Sequence, residues 1–153
     1  MDRHTIVEGT EADHPACAAL WTRAVAHRDG TAPDPVVRAR AEHRLLHTPR
    51  LLLLLRTPAL NGYTLTRLPT GGERTAHLTH LAVAPALQGT GWGRRLMDAT
   101  LARVADHADS LTLEVLHANT AGRALYEATG WYPVGESRFP ESGIPNIVYR
   151  RDL

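Results

Sequence analysis

At 153 residues the chain fits one domain spanning 1–153, large enough to bury roughly two-thirds of its unfolded surface without disulfide or metal staples. Hydrophobic residues make up 43% and charged residues 22%, as in ordinary soluble proteins; no apolar run approaches the roughly 20 residues of a membrane helix, and Met1-Asp2-Arg3-His4-Thr5 lacks the apolar stretch of a secretion signal, so a cytoplasmic chain with no membrane partner is expected. A net charge of +1 argues against a general nucleic-acid surface.

Residues 5–8 form the first strand candidate. A helix begins after Asp13, a suitable N-cap, with Pro15 in its first turn. Ala16, Leu20, Trp21, Ala24 and Val25 then recur at helical spacing, and Gly30 stops it. Cys17, the one cysteine, sits among alanines on this helix and reads as a small buried thiol; alone, it gives neither an internal disulfide nor a metal-site spacing. Residues 29–35 read as a loop. A second helix runs from Pro35 to about His47, with Val37, Ala41 and Leu45 on one side. His43 and His47 lie four apart on it, but Arg44 breaks the HExxH zinc pattern and no third ligand is evident; no metal is expected.

The period then changes. Residues 50–56 read as a strand covered on both faces, because Leu51 to Leu55 is an unbroken apolar run. Residues 57–62 supply turn types, and 63–68 return as the second arm of a hairpin. After another turn at 69–73, residues 76–83 form a strand that Pro85 ends. A helix from about Gly91 to Ala108 carries Leu96, Met97, Leu101, Val104, Ala105 and Ala108 as an apolar stripe. Strand 110–116 alternates Leu111, Leu113 and Val115 with Thr112 and Glu114. A helix over about 120–129 precedes Gly130, and strands over 132–138 and 146–151 finish the chain. The order β-α-α-β-β-β-α-β-α-β-β predicts an α+β (α/β mixed) domain: a mixed sheet covered by helices.

Gly89, Gly91 and Gly93 lie between a strand end and a helix start. Glycine permits positive φ and close approach of a ligand to the backbone, and the free amides of a first helical turn, with the helix dipole, favour an anion. Arg94 and Arg95 follow and suit a phosphate. A Walker-type loop needs a Lys-Ser/Thr pair, and the chain has no lysine: all 17 of its Lys+Arg residues are arginine. A dinucleotide fold needs GxGxxG and an acidic residue ending the next strand; the spacing is GxGxG and that strand ends in Leu116-His117.

The segment Leu81-Ala82-Val83-Ala84-Pro85-Ala86-Leu87-Gln88-Gly89-Thr90-Gly91-Trp92-Gly93-Arg94-Arg95-Leu96-Met97 resembles the signature of the GCN5-related N-acetyltransferases, whose Gln/Arg-x-x-Gly-x-Gly/Ala loop is matched by Gln88, Gly91 and Gly93. A second block, Asn119-Thr120-Ala121-Gly122-Arg123-Ala124-Leu125-Tyr126-Glu127-Ala128-Thr129-Gly130-Trp131, matches the family's Asn, Ala, Tyr and Gly-Phe spacing, with Trp131 in place of phenylalanine. The resemblance implies a mostly antiparallel mixed sheet of six or seven strands with about four helices, splayed between the strands around 76–83 and 110–116. It implies an acyl-CoA-dependent N-acyltransferase using acetyl-CoA. Leu81, Ala82 and Val83 would hold the pantetheine arm; Gln88, Gly89, Thr90, Gly91, Trp92, Gly93 and Arg94 would cradle the pyrophosphate; Asn119 would contact the pantetheine from the other side. Tyr126 occupies the family's general-acid position beside the thioester sulfur.

For the base, strand alternation puts residues 77, 79, 81 and 83 on one face. His77 is the candidate, with another residue or water as alternatives, while His80 on the opposite face reads as structural. The acceptor is expected to be an amine of a small molecule or peptide, met by loops over about 26–37 and 139–146. Asp29, Asp34, Glu73, Glu136 and Glu141 could attract a cationic amine, but each is more simply a solvated loop charge. Glu114 and His117 are either cleft-lining or surface residues. The resemblance leaves open a noncatalytic CoA-binding domain, a longer acyl donor, and a monomer or homodimer.

Overall fold

The computed structural model describes residues 3–47, 49–139 and 142–153. Its elements are β1 (Thr5–Glu8), α1 (His14–Asp29), α2 (Pro35–Leu45), β2 (Arg50–Thr57), β3 (Ala59–Arg67), β4 (Thr75–Val83), α3 (Trp92–Val104), β5 (Ser110–Leu116), α4 (Thr120–Ala128), β6 (Tyr132–Arg138) and β7 (Pro145–Asp152). The seven strands form one sheet in the order β1-β2-β3-β4-β5-β7-β6. Only β4 and β5 pair in parallel; every other neighbour is antiparallel. The mixed, mostly antiparallel α+β architecture is as expected.

The unbroken apolar run of β2 feeds two cores, as its composition demands. Leu52 and Leu54 pack with Tyr63, Leu65 and Ala82 under Cys17, Ala18 and Leu20 of α1 and Ala41 and Leu45 of α2. Leu51, Leu53 and Leu55 face the other way, onto Leu96, Met97 and Val104 of α3 and the strand residues Ala76, Leu78, Leu111 and Leu113. Burial pushes the Cys17 thiol up to about 12, with nearby Asp13 adding to the shift, so it is the inert packed thiol its alanine setting suggests.

Two boundaries differ from the sequence reading. The β2–β3 turn is confined to Pro58, between paired Thr57 and Ala59, and the remaining turn-type residues join β3 through a bulge that leaves Asn61 unpaired. Asn61 is still used: its Nδ2 donates to Thr57 Oγ1 at 2.6 Å and its carbonyl accepts from the Ala84 amide at 2.7 Å. Helix α3 ends at Val104, not Ala108; the chain turns back there, with Ala108 N–H still donating to the Val104 carbonyl at 2.9 Å and Asp109 N–H to the Arg74 carbonyl at 2.7 Å. Ala108 keeps its apolar burial in that turn.

Candidate active site

Strands β4 and β5 pair only from Thr75–Ser110 to Leu78–Leu113. Beyond that they part, and residues 79–83 of β4 face an opening in the sheet. A cavity of about 820 Å³ occupies it. Its wall includes Leu81, Ala82, Val83 and Gln88 on one side and Leu113, Val115, Asn119 and Tyr126 on the other. The expected splay between these strands is therefore present.

The backbone directions inside the opening follow from two contacts on the β3 side. Ala84 donates its N–H to Asn61 of β3, and the Ala82 carbonyl lies so close to Gly62 that a Cβ there would meet it at 2.9 Å. Peptide groups alternate along a strand, so those of Leu81 and Val83 point into the opening. The Val83 carbonyl accepts from Gln88 Nε2 at 3.3 Å.

At the mouth, Gly89 and Gly91 have φ of +78° and +88°, with open space where a Cβ would stand. Their need for glycine is conformational, not steric. The Gln88 and Thr90 amides are spent on turn bonds to the Pro85 and Leu87 carbonyls. The amides of Gly89, Gly91, Trp92, Gly93 and Arg94 have no acceptor among the described residues, and α3 starts here without a side-chain cap. This cluster of unused donors at a helix N-terminus is a cradle for an oxyanion. Gly93 packs against Val83, whose Cγ2 would lie 3.5 Å from any Cβ added to that glycine. Arg95 stacks over Trp92 at 4.6 Å, so its guanidinium is turned to the indole.

Across the opening, Asn119 caps α4 by accepting from the Gly122 N–H at 3.0 Å. A Cβ on Gly122 would fall 2.7 Å from Asn119 Nδ2, so this glycine fixes where the asparagine side chain sits; the sequence block contains it, but spacing alone assigns it no role. Tyr126 is half-buried against Trp131 and Tyr149, with ring centroids 5.9 and 6.2 Å away. Burial raises its phenol above the usual value, so it stays protonated at neutral pH. Its hydroxyl has no hydrogen-bond partner among the described residues.

The placement of His77 corrects the strand-alternation reading. Leu65 of β3 faces His80 and Thr66 faces Leu78, so Thr79 is an extra, unpaired residue. Such a bulge reverses which face the following residues present. Leu78 and Leu81 consequently pack into the α3-side core, while Ala82 packs under α1 and α2. His77 lies opposite Arg67 and hydrogen-bonds Thr112 Oγ1 through Nδ1 at 2.8 Å. It shares the α1/α2 face with His80 and Ala82, not the face of Leu81 and Val83. Its pKa is lowered, first by burial and then by Arg67 and Arg44, against an opposing effect of Glu114; the ring is neutral and able to take a proton. His80 is structural, as expected: it is 1% exposed, stacks on Trp21 at 3.9 Å and meets the Tyr63 hydroxyl at 2.9 Å.

Of the carboxylates read more simply as solvated loop charges, Asp29, Asp34, Glu73 and Glu136 are absent from this cavity's wall. Asp29 is engaged by Arg28 at 2.8 Å, Asp34 caps α2 through the Val36 N–H, Glu73 belongs to a surface turn and Glu136 to the exposed β6; Glu141 lies outside the described residues. The wall instead carries Arg44, Arg50 and Arg67, which sequence reading missed, with Glu114 from the fifth strand as its carboxylate. His117 is absent from the wall, whereas Phe139 reaches it. His43 and His47 only pack edge to face, at 4.8 Å.

Residues 31–153 match the family model described as an acetyltransferase (GNAT) domain. Many solved structures share the architecture. Among them are the ribosomal-protein-S18-alanine N-acetyltransferase of Escherichia coli (22% identity, 99% of this chain and 94% of that one, TM-score 0.80) and a GNAT acetyltransferase of Elizabethkingia anophelis with acetyl-CoA bound (20%, 100% of each chain, 0.75). An acetyltransferase of Thermus thermophilus is similar too (21%, 98% and 97%, 0.76). No curated protein matches the chain.

Proposed function

We propose that this chain, which belongs to the GNAT acetyltransferase family, transfers an acetyl group from acetyl-CoA to the primary amine of a small molecule or peptide by direct attack. The observation that carries the reading is the parting of β4 and β5 with the unused amides of Gly89 and Gly91–Arg94 at its mouth. An acyl-CoA needs both features: an oxyanion cradle for its pyrophosphate and an unpaired strand edge for its amide-bearing arm.

The arm runs along Leu81 and Val83, paired with their inward peptide groups. The Val83 N–H then points at the thioester carbonyl and stabilises the oxyanion that forms on attack. Asn119 contacts the arm from α4. His77 takes the proton of the attacking ammonium, directly or through water, because its lowered pKa leaves a neutral acceptor nitrogen at physiological pH. The C–N bond forms, the C–S bond breaks and Tyr126 gives its proton to the departing thiolate; the second proton the nitrogen loses on becoming an amide returns to the Tyr126 phenolate through solvent, and His77 releases its proton to bulk water. Burial keeps the Tyr126 phenol protonated, so it has a proton to give as the C–S bond breaks.

Calorimetry with CoA, followed by thiol-release assays over an amine panel with acetyl-, propionyl- and succinyl-CoA, tests the reading. Tight CoA binding without thiol release on any amine would instead assign a noncatalytic CoA-binding domain, and preference for a longer donor would change the acyl group alone.

A further inference from the structure

Arg44, Arg50 and Arg67 line the α1/α2 side of the cavity, against a single lining carboxylate among the described residues, Glu114, and the sheet register shows how closely that charge is crowded. Arg50 stands opposite Arg67, and Arg67 opposite His77, in adjacent strands on the α1/α2 face. Directly opposed residues hold their Cβ atoms about 4.5–5.5 Å apart, and like charges in that position repel. Arg44 reaches the same cavity from α2 and acts electrostatically on both His77 and His80.

Ordinary surfaces relieve such crowding with carboxylates. Here Arg44 and Arg67 have no carboxylate within 4.0 Å among the described residues. Arg50 spends Nη1 on the His47 carbonyl at 3.2 Å and turns Nη2 toward His14 at 3.5 Å; neither contact supplies a negative charge. Glu114 lines the wall from β5, on the other side of His77 from Arg67. A polyamine or lysine side chain would enter against this field. A carboxylate would complete it, since guanidinium groups present paired donors matched to an oxyacid.

Building on the acyltransferase reading, we propose that the acceptor is a small amine that itself carries a carboxylate or equivalent oxyacid, such as a free amino acid. Arg44, Arg50 and Arg67 hold that anion, and its amine is presented toward His77 and the β4–β5 opening. The clamp sets specificity, while the loop and α4 hold the donor.

The test compares free amino acids, their carboxamides, aminophosphonates and spermidine as acceptors with acetyl-CoA, alongside calorimetric titration of each acid and its amide into the CoA complex. A charged hydrogen-bond partner is worth roughly a 10- to 100-fold change in binding, so the acids should exceed their amides by about that factor in kcat/KM. Arg67→Gln and Arg44→Gln should raise the acid's KM by a similar factor, raise the amide's KM far less and preserve CoA binding. Turnover of aminophosphonates as well as amino acids assigns a general oxyacid site; turnover of amino acids alone assigns a carboxylate site. Equal binding of acid and amide, preference for spermidine, or an acid KM indifferent to both substitutions overturns the inference. Arg67-dependent binding of the acid without any thiol release would refute the transferase reading and leave the anion site standing.

Discussion

Replacing Tyr126 with phenylalanine separates chemistry from packing. The side chain's apolar contacts, to Trp131 and Tyr149, belong to the ring and survive the change. The hydroxyl has no protein partner among the described residues, so its removal strands no donor or acceptor. Stability should therefore change by less than about 1 kcal/mol, a Tm shift of under about 4 °C for a chain of this size. The rate should respond far more strongly. Loss of a general acid costs about 10²- to 10⁴-fold, or roughly 3–5 kcal/mol of barrier, several times the effect on the fold. Thiol release under saturating acetyl-CoA should show this fall in kcat, with the calorimetric Kd for CoA within about twofold. A donor with a more acidic thiol should recover part of the loss, because its leaving group needs the proton less. Because burial raises the phenol, the wild-type enzyme should show no alkaline decline from this group below about pH 10. An undiminished kcat, or a loss that merely follows weakened CoA binding, would refute the assignment.

His77→Gln should lower kcat/KM by about 10²-fold or more and remove the acid limb of its pH profile. In the wild type that limb lies below the usual imidazole value, since the lowered pKa keeps the ring neutral there, and Arg67→Gln should move it upward. Gly91→Val should weaken CoA binding through backbone strain at φ +88°, about 1–2 kcal/mol or more, seen in calorimetry as a roughly 10-fold higher Kd. Gly122→Ala displaces the Asn119 amide and should raise the KM for acetyl-CoA with little change in Tm. His80, depressed to about 3 by burial and then Arg44, is neutral when folded but protonates when unfolded. Its contribution is complete above about pH 6.5 and is lost as pH falls toward 3, at up to about 1.4 kcal/mol per pH unit; denaturant titrations of wild type and His80→Asn should show a shallower acid loss in the variant.

Local signals fixed much of this protein. Helical spacing and the Gly30 stop located α1, strict alternation located β5, and the Asn119–Trp131 block located α4 to within a residue. The Gln88–Gly93 loop was readable because positive φ and an uncapped helix start are demands on particular residues, which glycine answers at its own position. Leu81 and Val83 were legible through the resemblance alone; the inward direction of their peptide groups rests on the β3-side contacts of Ala84 and Gly62.

What failed to read locally was set by partners distant in the chain. The bulge at Thr79 exists because β3 pairs on both sides of it, and nothing in the alternation of 76–83 marks it; it alone moved His77 to the other face of the sheet. Arg44, Arg50 and Arg67 lie on α2, β2 and β3, with no shared periodicity, and the all-arginine composition carries no positional information. Only strand register and the seating of α2 bring their charges around one cavity. The glycine-loop cradle follows from a contiguous segment that sets its own backbone geometry, whereas the proposed arginine clamp arises from long-range pairing that the tertiary structure alone supplies.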